Sequence, residues 1–284
     1  MRAACVVLAA CLAQGLAACG SAPPAQSDVE VRRERLVELN DRAQRAAGRG
    51  ELRRASVLYR EALRVAESFE DFRSIGVNAL NLAAVHQALD EPEPAQRALD
   101  RVLAAPGRFD ATVAAEAAGR KSSLALQTGD LSAAEQWLAR AEKECRPPQC
   151  RIQTALLNLR AQLVLERGGT EEARGLAAKA LAASRAENNR EEEANALRVD
   201  GRAALRQGDS SQAAAVLTRA LEIDKQLTLP RKIALDLLVL AEIELARGMR
   251  DPARDYAQRA LDVSRAAGNR QQQSAATRLL EKLR

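Results

Sequence analysis

The 284-residue sequence predicts an all-α protein, and three observations support this fold class. Hydrophobic residues make up 47% of the chain but aromatic residues only 2%, so few of the bulky side chains that favour strands are present. Alanine, leucine, arginine and glutamate, which are strong helix formers, dominate after the first thirty residues. Small residues also recur at a fixed interval near 40, which indicates a stack of repeated helical units.

Charge and histidine content exclude several function classes. The formal net charge of +5 is too small for a nucleic-acid-binding arm, and too few aromatic side chains are present for base stacking. The single histidine, His86, leaves little basis for imidazole catalysis or a His-rich metal site. No nucleophile–base pair or metal-ligand cluster is recognisable. The sequence therefore predicts a non-enzymatic protein with no cofactor, no metal and no nucleic-acid partner.

The amino terminus has the layout of a bacterial lipoprotein signal. One positive charge, Arg2, precedes an apolar stretch that is too short to cross a bilayer as a helix. Residues 16–19 read Leu-Ala-Ala-Cys and resemble the lipobox, in which the signal peptidase cuts before the cysteine. The resemblance implies a signal peptide over residues 1–18 and lipidation of Cys19. An ordinary secretory signal with a chance cysteine is the alternative.

The residues after Cys19 bear on location. In lipoproteins of this kind an aspartate directly after the lipidated cysteine retains the protein in the inner membrane, and here that position is Gly20. The resemblance thus implies an outer-membrane anchor with the protein facing the periplasm; the inner membrane and the cell surface are the alternatives. The lipid alone would contact the membrane. Residues 19–30 include proline, glycine and polar side chains, and we expect them to form the lipidated end and a flexible tether.

Small residues recur six times in register, at intervals of 39 or 40 residues. One set follows a turn, a second lies seven residues later on the same helical face, and a third lies twelve residues earlier on the preceding helix. The three sets are Ala55, Ala95, Ala134, Ala173, Ala213 and Ala253; Ala62, Val102, Ala141, Ala180, Ala220 and Ala260; and Ala43, Ala83, Ser122, Ala161, Gly201 and Ala241. Small residues on two consecutive helices allow their backbones to approach closely.

This pattern resembles the tetratricopeptide repeat (TPR), together with the turns Gly50–Glu51, Gly129–Asp130 and Gly208–Asp209. In the second unit Asp90 stands where the other units have a turn glycine. The proline that normally ends the second helix is missing, so this helix can run on and lengthen the repeat to about 40 residues. The resemblance implies a right-handed solenoid of six TPR-like helix-turn-helix repeats over residues 31–268 and a C-terminal capping helix over residues 269–284.

Two cysteines, Cys145 and Cys150, would remain after cleavage and lipidation, in an oxidising compartment. Five helical steps would separate their Cα atoms by roughly 7.5 Å, but Pro147 and Pro148 break the helix and permit a tight turn. We expect a disulfide that stabilises an inter-repeat loop by about 2 kcal/mol. A redox-active pair or a metal clip is the alternative, although the spacing is not C-x-x-C.

In TPR proteins the first helix of each unit lines a concave face that holds partners. The resemblance therefore implies a set of polar residues on this face: Asn40, Gln44, Gln87, Asn158, Gln162, Asn195, Arg198, Arg202 and Glu242. Side-chain amides can hydrogen-bond a partner's backbone, and Arg198 and Arg202, one helical turn apart, could grip a carboxylate. An ordinary solvated helix face is the alternative.

An anchor followed by repeats is the plan of lipoproteins that assist barrel, secretin or pilus assembly. By analogy the chain is expected to be a scaffold that holds one or more envelope proteins near the outer membrane. The alternative is a helical module that binds a non-protein ligand, such as a peptidoglycan fragment or a small metabolite. The scarcity of aromatic side chains counts against that alternative.

Overall fold

The computed structural model describes residues 27–105, 107–146 and 150–284. The signal peptide, Cys19 and most of the expected tether lie outside these residues. Within them thirteen α-helices follow one another and no strand is present: α1 (Asp28–Gly48), α2 (Leu52–Glu67), α3 (Phe72–Ala88), α4 (Pro92–Leu103), α5 (Ala111–Thr128), α6 (Leu131–Glu144), α7 (Gln153–Glu166), α8 (Thr170–Ala186), α9 (Arg190–Arg206), α10 (Ser210–Gln226), α11 (Pro230–Ala246), α12 (Arg250–Ala266) and α13 (Arg270–Lys282).

Consecutive helices pack as hairpins, and each hairpin packs on the next one. The prediction of six stacked helical hairpins followed by a capping helix, α13, is confirmed. From α3 to α13, the first helices of neighbouring repeats also contact each other, whereas no comparable contact joins neighbouring second helices in the described ranges. Because neighbours are closer on the inner side of a curved stack, the first helices form the inner layer. Their inward surface is called the concave face below.

The first helix begins at Asp28, three residues before the expected start of the repeats at residue 31. A capping box explains this position. The Ser27 hydroxyl accepts from the backbone N–H of Glu30 at 3.2 Å, and the Glu30 carboxylate accepts from the backbone N–H of Ser27 at 2.8 Å. Such reciprocal bonds satisfy N–H groups that have no partner within the helix.

The eighteen residues of the three repeat sets are all buried, so the register found in the sequence is the register of the core. Bulkier side chains fill the space between them, and Leu99, Leu138 and Leu217 are completely inaccessible. Where serine replaces alanine, at Ser122, the hydroxyl donates to the carbonyl of Ala134 at 2.8 Å across the hairpin. The close approach of the two helices therefore also satisfies the one buried hydroxyl among the eighteen residues.

The two described ends of the loop between α6 and α7 are joined by a disulfide between Cys145 and Cys150, whose Cα atoms lie 5.0 Å apart. Cys145 is the residue that ends α6, where the backbone becomes extended. The covalent link therefore closes the connection between the third and fourth repeats.

None of the helices within the described ranges combines the length and the apolar character needed to cross a bilayer.

Two helical glycines give a paired test of this packing. A Cβ atom on Gly201 in α9 would lie 1.6 Å from Cδ2 of Leu217 and 3.0 Å from Cγ2 of Val216, whereas a Cβ on Gly175 in α8 would meet nothing within 4 Å. We expect Gly201→Ala to lower the free energy of unfolding, since overpacking costs about 1–3 kcal/mol and this overlap is severe. Gly175→Ala should raise that energy by about 0.5–1 kcal/mol through helix propensity.

Urea unfolding followed by circular dichroism measures both variants. If Gly201→Ala raised the free energy of unfolding, as Gly175→Ala is expected to do, α9 and α10 would not approach as closely as the structure shows.

Candidate functional site: the concave face

Three exposed aliphatic side chains share one register position on the concave face and are called the row below. They lie six residues before the buried small residue of α1, α3 and α11: Val37, Val77 and Leu235 are 61%, 43% and 38% exposed. The other three first helices have Glu116, Ala155 and Asn195 at this position. The residue after the small one is seven positions, or two turns, further on and shares this face. There Gln44 and Glu242 are exposed. The concave face thus presents apolar surface beside polar groups.

Two asparagines at matching positions have an unused acceptor. Asn158 is buried, and its Nδ2 donates to the backbone carbonyl of Glu192 at 3.0 Å and to the Glu192 carboxylate at 2.7 Å. Its Oδ1 finds no donor among the described residues, and neither does Oδ1 of the half-buried Asn40. A buried acceptor without a donor costs about 1–3 kcal/mol, and both oxygens are shielded from solvent, so this cost falls on the fold itself.

The remaining amides have different surroundings. Gln162 is half-buried, and so is Gln87, whose backbone carbonyl accepts from Arg231. Asn195 is at the centre of a network: its Oδ1 accepts from Arg198 at 2.9 Å and from Lys232 at 2.9 Å, while its Nδ2 donates to Glu192. Asn195 is thus held by two residues of its own helix, α9, and by Lys232 of α11.

Arg198 is buried between two helices. Its Nε donates to Asp236 on α11 at 2.6 Å and its Nη2 donates to Asp224 on α10, and both carboxylates are fully inaccessible. Desolvation lowers the pKa of Arg198, but the two carboxylates raise it by more, so the net shift is upward. This guanidinium therefore stays charged and joins three helices.

One cation shared by two buried carboxylates leaves an excess negative charge. Desolvation raises the pKa of Asp224 from 3.8 to about 7; Arg198 opposes this shift, and the Asp236 carboxylate adds to it. Oδ1 of Asp224 has no partner within the described part of the chain. Near neutral pH this carboxyl therefore takes up a proton to remain buried.

Arg202 pairs with Glu166 at 2.7 Å, and Arg206 holds the other oxygen of the same carboxylate at 2.8 Å. Desolvation raises the pKa of Glu166, but the two guanidinium groups lower it by more. The expectation that Arg198 and Arg202 grip a partner's carboxylate does not fit this placement. Both already hold carboxylates of the protein itself, because helices α7, α10 and α11 bring acidic residues into reach.

Glu242 is the acidic candidate that stays at the surface. Its carboxylate is exposed, yet the surrounding helices displace enough water to raise its pKa, a shift that the nearby Arg202 and Lys282 oppose. No ion pair with Glu242 is formed among the described residues. Its exposed position on the concave face leaves this charge accessible to a partner.

Sequence reasoning missed Asp224, Asp236, Glu166 and Glu192, the acidic partners of the candidates. One signal was available, since Asp236 interrupts the apolar run Ile-Ala-Leu-Asp-Leu-Leu-Val-Leu. A charge on an apolar helix face needs a buried counter-charge. The run does not say which arginine supplies it, because the neighbouring helices carry several.

Two cavities lie away from the row. One of about 650 Å³ is at the amino-terminal end of the stack, lined by charged residues of α1 and α2 with Val31 and Leu39. The other, of about 220 Å³, lies between α4, α5 and α6 beside Phe109. No group of three His, Cys, Asp or Glu residues suited to a metal ion occurs in the described ranges.

Helical hairpins stacked in a register of small residues, with the first helices lining a concave face, define a TPR protein. The sequence matches the MalT-like TPR region over residues 39–227. The chain belongs to this family. No curated protein sequence matches the chain.

Solved structures share the fold at low identity. A Rap protein complexed with Competence and Sporulation Factor has a TM-score of 0.61 and 16% identity, covering 87% of this chain and 69% of its own. The Cut9–Hcn1 hetero-tetramer of the APC/C has a TM-score of 0.62 and 14% identity, covering 90% and 46%. A STAND protein from Pyrococcus horikoshii with a TPR sensor has a TM-score of 0.55 and 14% identity, covering 89% and 37%. The chain thus spans less than half of two of these proteins, and the likeness shows the fold alone.

Proposed function

We propose that the chain is a non-enzymatic scaffold of the cell envelope that holds a segment of another envelope protein on its concave face. In this proposal the lipid on Cys19 anchors it to the outer membrane, with the repeats in the periplasm. TPR folds are typical interaction modules, and a Rap protein of similar fold is solved in complex with Competence and Sporulation Factor. The choice of an envelope protein as the partner and of a lipid as the anchor rests on the lipobox at residues 16–19.

The row of exposed Val37, Val77 and Leu235 is the observation that carries the choice of surface. Covering the exposed part of each side chain contributes on the order of 1 kcal/mol. The exposed Gln44 and Glu242 on the same face can hydrogen-bond the backbone of a peptide. Apolar contacts with backbone hydrogen bonds suit a peptide segment whose main chain is accessible.

Crosslinking in cells, followed by purification from detergent-solubilised envelopes, tests this surface. We expect the native chain to recover a specific envelope protein and Val77→Asp/Leu235→Asp to recover at least about tenfold less, since each 1.4 kcal/mol of lost binding is tenfold. Val57→Asp is the matched control, because Val57 is 56% exposed on α2, a second helix outside the concave face. Recovery should be unchanged in this control.

A third variant, Cys19→Ala, tests the anchor in the same preparation and should move the protein from the membrane to the soluble periplasmic fraction. Equal recovery by the concave-face variant and the native chain would rule out this surface. Retention of Cys19→Ala in the membrane fraction would rule out the lipid as anchor.

A further inference from the structure

The second and third repeats meet the sixth repeat and the capping helix across the superhelix. Arg231, in the first turn of α11, donates to the backbone carbonyl of Gln87 and lies 4.0 Å from the Asp90 carboxylate. Gln271, in the first turn of α13, donates its backbone N–H to Asp90 at 3.2 Å and its side-chain amide to the carbonyl of Gln127 at 3.5 Å. These pairs are 141 to 181 residues apart. They join parts of the stack that are several repeats apart in the sequence.

Asp90 breaks the repeat rule at this contact. Five of the six turns within the hairpins place a glycine in the left-handed backbone region, with φ between 75° and 90°, and the sixth places Asp90 there with φ of 60°. Side chains other than glycine disfavour this region, although aspartate tolerates it better than most. The one turn that has a carboxylate in place of glycine therefore uses this carboxylate to contact α11 and α13.

The surroundings strengthen this contact. The Arg231 side chain is 27% exposed, and desolvation lowers its pKa while the nearby Asp90 opposes that shift. Gln272 donates to the backbone carbonyl of Arg231 at 2.7 Å, so the starts of α11 and α13 are tied together. The ion pair and its hydrogen bonds therefore lie in partly dehydrated space, where they are weakened less by water and salt than open surface pairs.

We propose that Asp90, Arg231 and Gln271 form a latch that closes the superhelix, and that release of this latch opens the concave face. In this proposal the closed latch restricts lateral access to the concave face between the second and sixth repeats. With the latch open, a segment without a free end can enter laterally. The latch itself is independent of the partner, whereas its role in admitting one rests on the proposed function.

Small-angle X-ray scattering and hydrogen exchange on the full chain test the latch. Asp90→Gly restores the residue of the other five turns and removes only the carboxylate, so the turn is expected to form. We expect this variant and Arg231→Ala to show a larger radius of gyration with unchanged helix content. The backbone N–H of Gln271 has no partner within its helix and should exchange at least about tenfold faster.

Arg270→Ala, which changes an exposed neighbouring residue, should leave both measurements unchanged. An unchanged radius of gyration and unchanged exchange at Gln271 in Asp90→Gly would overturn the latch. The crosslinking experiment separates the two proposals. Faster capture of the partner by Asp90→Gly than by the native chain supports the role of the latch in admitting a partner. Equal capture rates overturn that role. The scattering experiment tests the latch itself in either case. Absence of any captured protein counts against the proposed function alone.

Discussion

Replacing Arg198 with alanine is expected to lower the free energy of unfolding by about 3–5 kcal/mol. The change leaves the buried carboxylates of Asp224 and Asp236, both fully inaccessible, without their shared cation. Such a loss is a large fraction of the 5–15 kcal/mol that ordinarily separates folded from unfolded domains. Urea unfolding monitored by circular dichroism measures it directly.

Arg202→Ala is the matched control for this prediction. Arg202 is a half-buried neighbour one turn away, and its partner Glu166 keeps Arg206 when Arg202 is removed. We expect a loss of no more than about 1 kcal/mol there. If Arg198→Ala fails to fold, Arg198→Met/Asp224→Asn/Asp236→Asn should recover much of the stability, because it removes the buried charges together. A loss below about 1 kcal/mol for Arg198→Ala would contradict the role assigned to this ion-pair cluster.

Asp224 should make the stability of the protein depend on pH. Desolvation raises its pKa to about 7 in the folded chain, against 3.8 for an ordinary aspartate, so between these values the folded state binds a proton that the unfolded state has lost. Stability from this group is therefore complete below about pH 4, falls as the pH rises and levels off above about pH 7. Each unit by which the folded-state pKa exceeds the unfolded-state pKa corresponds to about 1.4 kcal/mol in the free energy of unfolding.

Asp224→Asn removes this dependence, because an amide is neutral at every pH. From pH 5 to pH 8 we expect the native chain to lose on the order of 2 kcal/mol relative to this variant. At each pH, the difference in the free energy of unfolding between the native chain and this variant measures the effect of Asp224. The effects of the other carboxyl groups are the same in both proteins and cancel in this difference. Asp251→Asn, at a side chain that is 91% exposed, should give a difference that does not change with pH. A flat difference for Asp224→Asn as well would show that this carboxyl is ionised when buried.

The secondary structure and the core were predictable because they depend on local rules. Helix propensity and the repeat interval were enough to predict six hairpins and a final helix, and the small residues in register are the buried ones. The solenoid was expected to begin at residue 31, and the capping box of Ser27 and Glu30 starts α1 at Asp28. This difference of three residues lies at a helix end, where local signals overlap.

The concave face was predictable only in part. The register identified the helix face that holds Asn158 and Arg198, but periodicity does not distinguish a side chain that faces solvent from one that meets a neighbouring helix. Arg198 therefore looked like a binding residue, whereas residues 26 and 38 positions further along the chain bury its charge. The exposed aliphatic residues of the row follow the same register and could have been found by it.

The sequence by itself determined the repeat, its helices, its turns and the residues that fill its core, since each of these depends on contacts within one hairpin or with the next. Only the tertiary structure decided which charges neutralise one another and that Asp90 meets Arg231 across the superhelix. The physical reason is that each repeat is rotated slightly relative to the one before it, and the side chains at each interface set this rotation. These rotations add up over four repeats before the distant residues meet, so no local pattern in the sequence reveals the contact.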